Sequence, residues 1–150
     1  MSELKSILLA EDNPKDVELT LEALSEYRLA NAVAVASDGA EALDYLYRRG
    51  KFAGRTDGHP VVVLLDIKMP KVDGLEVLRT IKSDPELHTI PVVALTSSRE
   101  ERDLIEGYEL GVNAYVVKPV GFGQFVECVK QLGAFWALIN EPPVGCERLR

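Results

Sequence analysis

The sequence predicts an α/β fold, a doubly wound sandwich in which a five-stranded parallel sheet lies between two layers of helices. Short apolar or β-branched segments alternate along the chain with longer amphipathic ones. Residues 61–65 are continuously apolar, which is typical of a central parallel strand covered on both faces. Because no hairpin signal joins successive strands, each connection is expected to be a right-handed crossover that contains a helix.

Five strand and helix pairs, a (βα)5 arrangement, follow from this alternation. The predicted strands span residues 6–10, 32–36, 61–65, 91–95 and 113–117, and the predicted helices span residues 14–28, 39–49, 73–83, 98–110 and 121–139.

The first two helices are predicted from their apolar spacing and their starts. Val17, Leu21 and Leu24 share one face of the first helix. Asp38 and Glu41 have the spacing of an N-cap residue and its reciprocal partner at the start of the second helix.

The remaining helices are bounded by similar signals. Asp73 and Glu76 have the capping spacing that opens the third helix. Ser98 opens the fourth helix and Gly111 ends it, since glycine readily adopts the conformation that terminates helices. Pro142 stops the last helix because proline cannot continue one.

Length and charge limit the functional classes. A chain of 150 residues fits one domain. The 17 basic and 24 acidic residues give a net charge of −7, which repels nucleic-acid phosphates and anionic lipid. The cysteines lack a metal-ligand spacing, and the first residues lack the apolar segment of a secretion signal. We therefore expect a cytoplasmic protein that binds neither nucleic acid nor membrane.

Chemically notable side chains follow four of the predicted strands, where ligands bind in doubly wound sheets. Each of them alone has an ordinary structural explanation, as a helix cap, a turn residue, a loop hydroxyl or a surface lysine. Their joint placement on strand ends favours a functional site. The residues are Glu11 and Asp12 after the first strand, Asp66 after the third, Thr96 and Ser97 after the fourth, and Lys118 after the fifth.

Three carboxylates in one cleft repel one another unless a cation compensates their charge. Magnesium suits this cluster because it prefers oxygen ligands, with Asp12 and Asp66 as ligands and Glu11 acting through water. A carboxylate can then attack phosphorus and form an acyl phosphate. We expect Asp66 to be the nucleophile, with Lys118 supplying a positive charge and Thr96 a hydroxyl donor.

Five separate motifs make the chain similar to the response-regulator receiver family, and the likeness covers nearly the whole sequence. The order and spacing of the motifs carry the resemblance. They are Glu11-Asp12-Asn13, Leu64-Leu65-Asp66-Ile67-Lys68-Met69-Pro70, Asp73-Gly74, Leu95-Thr96-Ser97 and Val117-Lys118-Pro119.

The resemblance implies a flavodoxin-like, receiver-like fold and phosphorylation of Asp66 by a partner histidine kinase. It implies a Mg²⁺ ion held by Asp12, Asp66 and the main-chain carbonyl of Lys68, with Glu11 acting through the water shell of the metal. Many members carry Asn or another short polar residue at the position of Lys68, and we expect the lysine here to alter the lifetime of the phosphoryl-aspartate.

The resemblance also implies a conformational switch and an output by protein contact. Thr96 and Tyr115 would form the switch pair, and the peptide bond between Lys118 and Pro119 would be cis. The expected receiver domain covers residues 1–140, and a short tail without an output domain covers 141–150. The signal would then pass to a downstream protein target.

The long loop before the third strand and the sequence near the carboxyl end are similar to single-domain regulators that pair with bacterial phytochromes. Phe135 and Trp136, followed by Glu141-Pro142-Pro143, carry this likeness. The two aromatic residues are expected either to pack in the core or to form a homodimer contact.

Two other functional classes fit parts of the pattern less well. A magnesium-dependent phosphohydrolase with an aspartate nucleophile typically has a second carboxylate two residues later, where this chain has Lys68, and a cap domain. A flavin-binding module cradles phosphate in its first loop, where Glu11 and Asp12 would repel it. A receiver that works without phosphorylation is disfavoured, because the acidic, hydroxyl and lysine positions are all present.

Overall fold

The computed structural model describes residues 6–24, 33–56, 58–67, 69, 71–96 and 114–118, together with residues 121, 123, 124 and 127. The described strands are β1 (Ile7–Ala10), β2 (Val33–Ala36), β3 (Val62–Asp66), β4 (Val92–Thr96) and β5 (Ala114–Val117). The described helices are α1 (Pro14–Leu24), α2 (Gly39–Tyr47) and α3 (Gly74–Ser83), with a short 3₁₀ helix at Gly50–Phe52.

All five strands are parallel, and their order across the sheet is β2-β1-β3-β4-β5. This is the strand order of flavodoxin-like doubly wound sheets, whose winding direction changes between β1 and β3. The predicted fold class is therefore confirmed. Ligands bind such sheets at the carboxyl ends of the two strands that flank this change of direction.

Each face of the sheet carries its own hydrophobic cluster, because successive side chains of a strand point to opposite faces. On one face, strand residues pack with buried residues of α2 and α3. On the other face they pack with α1, through the buried Leu24 and the partly buried Val17, which are two of the three residues that the sequence assigns to this face of the helix. The continuously apolar β3 is buried on both faces, with Leu65 in the first cluster and Leu64 in the second.

Side-chain caps begin α1 and α2. The Asn13 Oδ1 atom accepts a hydrogen bond from the Lys15 N–H at 2.9 Å, and the Asp38 side chain accepts one from the Glu41 N–H at 2.8 Å. The sequence predicts that the Glu41 side chain reaches back to Asp38 as a reciprocal partner, but its contact in the structure is with Ser37. The Glu41 carboxylate accepts from the Ser37 N–H at 3.2 Å and thereby holds the residue before the cap.

Helix α2 ends at Tyr47, two residues earlier than predicted, because Arg48 adopts a left-handed conformation with φ 53°. The following loop is held by Arg55, whose guanidinium lies 4.0 Å from the centre of the Tyr45 ring and donates two hydrogen bonds to the Tyr45 carbonyl.

The predicted fourth helix lies outside the described residues. Of the predicted fifth helix, residues 121, 123, 124 and 127 are described; the last three are helical and residue 121 is not. Among the described segments, no helix is long and apolar enough to cross a membrane.

The start of α2 lies directly against the loop that leads from β3 to α3. A Cβ atom added at Gly39 would overlap the Val72 carbonyl oxygen and lie 2.6 Å from its carbonyl carbon. Lys71, in the same loop, has φ 66° and forms an ion pair with Asp38 at 3.2 Å. The residue at position 39 must therefore lack a side chain for α2 to take this place.

We predict that Gly39→Ala lowers the free energy of unfolding by at least about 2 kcal/mol, because backbone must move to make room for the methyl group. Gly54→Ala is the matched control, since a Cβ atom at Gly54 meets nothing within 4 Å. Urea denaturation of both variants measures the difference. Equal stability of the two variants would contradict the close approach of α2 to Val72.

Candidate functional site

The pairing of β1 with β3 brings two acidic residues together. Ala10 is paired with Leu65 in this register. Glu11 and Asp66 each follow that pair by one residue, so they lie opposite each other at the carboxyl ends of the strands. Both side chains are buried, with relative exposures of 1% for Glu11 and 3% for Asp66.

The next two strands bring a hydroxyl and an ammonium group to the same edge. Asp66 pairs with Leu95, and Thr96 is the following residue of β4. The Lys118 N–H donates to the Thr96 carbonyl at 2.8 Å, which places Lys118 directly after β5 and beside Thr96. Parallel pairing alone thus collects side chains from four separate parts of the sequence.

The charged residues share one face of the sheet. Because side chains alternate along a strand, Glu11, Asp66 and Lys118 continue the rows that face α1. The apolar residues that precede them in these rows are Leu9, Leu64 and Val116. Thr96 instead continues the row of Ala94, which belongs to the cluster on the α2 and α3 face.

Three carboxylates form a cluster that could hold a metal ion. One carboxylate oxygen each from Glu11, Asp12 and Asp66 can be chosen so that all three lie within 4.8 Å of one another. Asp12 is exposed, which leaves an open side toward solvent. The Glu11 Oε2 atom accepts a hydrogen bond from the Asn13 N–H at 3.1 Å, which orients the carboxylate.

The donor set suits a hard divalent cation, since it consists of oxygen atoms with one side open to water. The carboxylates include two buried groups whose charges need compensation. Zinc is disfavoured here, because the described residues contain no comparable group with His or Cys donors.

Lys118 compensates part of this negative charge. Its Nζ atom donates hydrogen bonds to Glu11 Oε1 at 3.0 Å and to Asp16 Oδ2 at 3.3 Å, and it lies 3.3 Å from Asp66 Oδ1. Burial by itself lowers the pKa of a lysine, but the hydrogen bond to Glu11 and the charge of Asp66 outweigh it and raise the pKa of Lys118. The ammonium therefore stays charged at neutral pH.

Among the described carboxyl groups, that of Asp66 has the most strongly shifted pKa. Burial raises its pKa, and the adjacent Glu11 carboxylate raises it further through a hydrogen bond and charge repulsion. Lys118 opposes these effects only in part, so that the pKa of Asp66 is raised to about 7. Without a metal ion, charging this carboxyl costs free energy.

Thr96, at the same edge of the sheet as this cluster, carries a polar atom without a described partner. Its Oγ1 atom is fully buried and has no hydrogen-bond partner in the part of the chain that is described. A buried hydroxyl without a partner is destabilising and rare.

The loop that follows Asp66 is held close to the end of β3. The Gly74 N–H donates to the Ile67 carbonyl at 2.8 Å, and a Cβ atom at Gly74 would lie 2.6 Å from the Ile67 Cα atom. The Asp73 side chain accepts from the Glu76 N–H at 3.0 Å and caps α3, as predicted. The start of α3 therefore fixes the backbone next to Asp66.

The structure brings together five of the residues that the sequence singles out: Glu11, Asp12, Asp66, Thr96 and Lys118. Lys68, Ser97 and Pro119 lie outside the described residues. The backbone of Tyr115 pairs with Ala94, and its side chain lies outside the description.

Sequence reasoning missed Asp16, which contacts Lys118 from the first turn of α1. An acidic residue in a first helical turn is common, since it interacts favourably with the helix dipole. The only available signal was its place one turn after the acidic pair at residues 11–12.

Comparison with known proteins identifies the family to which this chain is similar. The response regulator receiver domain model matches residues 7–130. Response regulator Rcp1 of Synechocystis sp. is 38% identical over 132 residues, which cover 88% of this chain and 88% of that protein.

Solved structures of similar proteins extend this result. The bacteriophytochrome response regulator AtBRR is 63% identical with a TM-score of 0.86, and the match covers 93% of this chain and all of that one. The phosphorylated cyanobacterial phytochrome response regulator RcpA is 41% identical with a TM-score of 0.71, covering 93% and 98% of the two chains. A structure of Rcp1 in its Mn²⁺-bound form has a TM-score of 0.70, with 37% identity and coverages of 92% and 97%.

The family model covers most of the chain, and the sheet order and the acidic cluster agree with it. This chain therefore belongs to the response regulator receiver domain family, as a phosphoacceptor protein of two-component signalling and not a classical enzyme.

Proposed function

We propose that Asp66 accepts a phosphoryl group from the phosphohistidine of a sensor histidine kinase in a Mg²⁺-dependent reaction. The observation that supports this most directly is the position of Asp66, buried at the end of β3 between a second carboxylate and a lysine ammonium. A nucleophile, a group of carboxylates that could hold a metal ion, and a lysine ammonium thus meet in one cleft, as phosphoryl transfer requires.

In this reaction an Asp66 carboxylate oxygen attacks phosphorus, the bond from phosphorus to the imidazole nitrogen breaks, and the nitrogen recovers its electron pair. The chain itself supplies the groups that favour this transfer, so it assists its own phosphorylation and acts on no other substrate. Hydrolysis of the acyl phosphate by water reverses the modification.

Asp12 and Asp66, with the main-chain carbonyl of Lys68, would hold Mg²⁺, and Glu11 would act through a water molecule on the metal. The oxygen-only donor set and the exposure of Asp12 support this assignment. When bound, the metal neutralises phosphoryl oxygens and allows Asp66 to ionise. The Mn²⁺-bound form of Rcp1 belongs to a similar protein and supports a divalent ion here.

Lys118 and Thr96 would contact the phosphoryl oxygens. The ammonium already lies 3.3 Å from Asp66, and the Thr96 hydroxyl, at the same edge of the sheet, is buried without a partner in the described region. Each charge-assisted hydrogen bond contributes about 1.5–3 kcal/mol. Two or three such contacts approach the roughly 5.5 kcal/mol that moves a two-state equilibrium from mostly off to mostly on. Thr96 and Tyr115 would form the switch that reports the change.

The kinase is proposed to be a bacterial phytochrome. AtBRR is a bacteriophytochrome response regulator and RcpA a cyanobacterial phytochrome response regulator, which supports this partner. Recognition of a downstream protein and formation of a homodimer, through residues such as Phe135 and Trp136, remain predictions from the sequence. A single receiver domain over residues 1–140 that acts in the cytoplasm also remains a prediction.

We predict that acetyl phosphate with Mg²⁺ adds one phosphoryl group to the wild-type protein and that Asp66→Asn abolishes this gain. Intact-protein mass spectrometry, with and without Mg²⁺, measures the outcome. Asp44→Asn is the control. The Asp44 carboxylate lies outside the cleft and forms an ion pair with Arg49, with 2.9 Å between the two atoms. Phosphorylation of Asp66→Asn at the wild-type level would assign the acceptor role to another residue.

The raised pKa of Asp66 predicts a pH-dependent stability of the metal-free protein. Between its ordinary pKa of 3.8 and the folded value of about 7, the folded protein keeps a proton that the unfolded chain has lost. The contribution of this proton to the free energy of unfolding is therefore fully present below pH 3.8 and is lost as the pH rises through about 7.

Urea denaturation in the presence of a chelator should show the wild type losing at least about 1 kcal/mol more stability than Asp66→Asn between pH 5 and pH 8. Added Mg²⁺ should restore stability at pH 8 in the wild type only. Parallel pH profiles of the two proteins would contradict the buried, uncompensated carboxyl.

Because the Thr96 hydroxyl has no described partner, we predict that removing it stabilises the unphosphorylated protein but weakens its response to phosphorylation. Thr96→Val removes a buried polar atom without a described partner and should stabilise the unphosphorylated protein by about 1 kcal/mol. The same variant should reduce the extra stability that phosphorylation confers. Denaturation of both forms measures these effects.

Thr20→Val is the matched control, since the buried Thr20 hydroxyl donates to the Asp16 carbonyl at 2.8 Å and that bond would be lost. This control should not be stabilised. A Thr96→Val protein that is less stable than the wild type would show that the hydroxyl already has a partner.

A further inference from the structure

Asp16 is a third acidic partner of Lys118, in addition to the two residues that line the cleft. The Nζ atom donates to Asp16 Oδ2 at 3.3 Å and to Glu11 Oε1 at 3.0 Å, while its contact with Asp66, also at 3.3 Å, is an ion pair. An ammonium has three donors, and three carboxylates surround this one. The described contacts leave the cation fully engaged before any phosphoryl group arrives.

The start of α1 holds Asp16 in this place. The Asn13 side chain accepts from the backbone N–H groups of Lys15 at 2.9 Å and Asp16 at 3.4 Å, while the Thr20 hydroxyl donates to the Asp16 carbonyl at 2.8 Å. The same Asn13 donates its N–H to Glu11 at 3.1 Å. One short segment therefore positions both hydrogen-bond acceptors of Lys118.

The two acceptors differ in how easily they can release the cation. The Glu11 side chain is 1% exposed, so losing Lys118 would leave a buried charge without this partner, which is costly. The Asp16 side chain is 28% exposed and can be hydrated instead. When a new anion competes for Lys118, Asp16 is the partner that is released at the lower cost.

We infer that Asp16 is a positioning residue, which holds the Lys118 ammonium on the α1 side of the cleft until a phosphoryl group on Asp66 draws it away. The phosphoryl group in this inference comes from the proposed function. The contact between Asp16 and Lys118 is independent of that proposal. Asp16 would thus oppose the phosphorylated state, and its removal should favour binding of a phosphoryl group or its mimic.

The first test measures the reactivity of Lys118 in metal-free protein. Limited treatment with acetic anhydride, followed by peptide mass spectrometry, gives the labelling of Lys118 relative to the exposed Lys71. Asp16→Asn should raise this ratio about threefold, because the ammonium loses one of its partners. Glu18→Gln removes the same charge from an exposed position of α1 and should leave the ratio unchanged.

The second test measures the affinity for beryllofluoride, a mimic of the phosphoryl group, at saturating Mg²⁺. Asp16→Asn should bind it about threefold more tightly than the wild type, and Glu18→Gln should show a smaller change that reflects net charge alone. Equal affinities and equal labelling in the two variants would overturn the inference. A residue that only stabilised the start of α1 would lower the urea midpoint and leave both readouts unchanged.

The two tests separate the inference from the proposed function. If the wild type binds no beryllofluoride and gains no phosphoryl group, the proposed function fails, while the labelling ratio still reports whether Asp16 positions Lys118. If the wild type is modified on Asp66 but Asp16→Asn behaves as Glu18→Gln does, only the role of Asp16 is refuted.

Discussion

The repulsion between two buried carboxylates, Glu11 and Asp66, is the constraint on which the site depends. Parallel strand pairing places them opposite each other at the end of the sheet. Their charges are balanced only in part by Lys118, which leaves the pKa of Asp66 raised to about 7. A bound divalent cation would complete the balance, so the proposed metal binding and the proposed reactivity of Asp66 have the same electrostatic origin.

Packing of the hydrophobic layers determines where the Glu11 and Asp66 carboxylates meet. The strands are held in register by apolar side chains on both faces. The charged residues extend rows of those side chains at the carboxyl end of the sheet, where Asp66 is the last residue of β3 and Glu11 and Lys118 directly follow β1 and β5. The loop after β3 is fixed by the close approach at Gly74, and α2 is fixed against it at Gly39. The geometry of the carboxylates therefore follows from packing in parts of the fold that carry no charge.

The sequence predicted the sheet, the bounds of most described elements and five residues of the site, because these depend on apolar periodicity and on strand ends. It could not predict contacts that depend on side-chain reach. Asp16 looks like an ordinary residue of a first helical turn until the fold brings Lys118 to it from a distant part of the chain. Likewise, Glu41 contacts Ser37 instead of the predicted Asp38 backbone, and the left-handed Arg48 ends α2 early, since both depend on local backbone geometry.

Thr96 belongs to a different row of side chains from the charged groups, although it lies at the same edge of the sheet. Glu11, Asp66 and Lys118 continue rows on the α1 face, whereas Thr96 continues the row that packs toward α2 and α3. A ligand in the cleft that recruits both Lys118 and Thr96 must therefore act on the two helical layers at once. If phosphorylation recruits both residues as proposed, the sheet edge would couple a change of charge in one helical layer to a change of packing in the other.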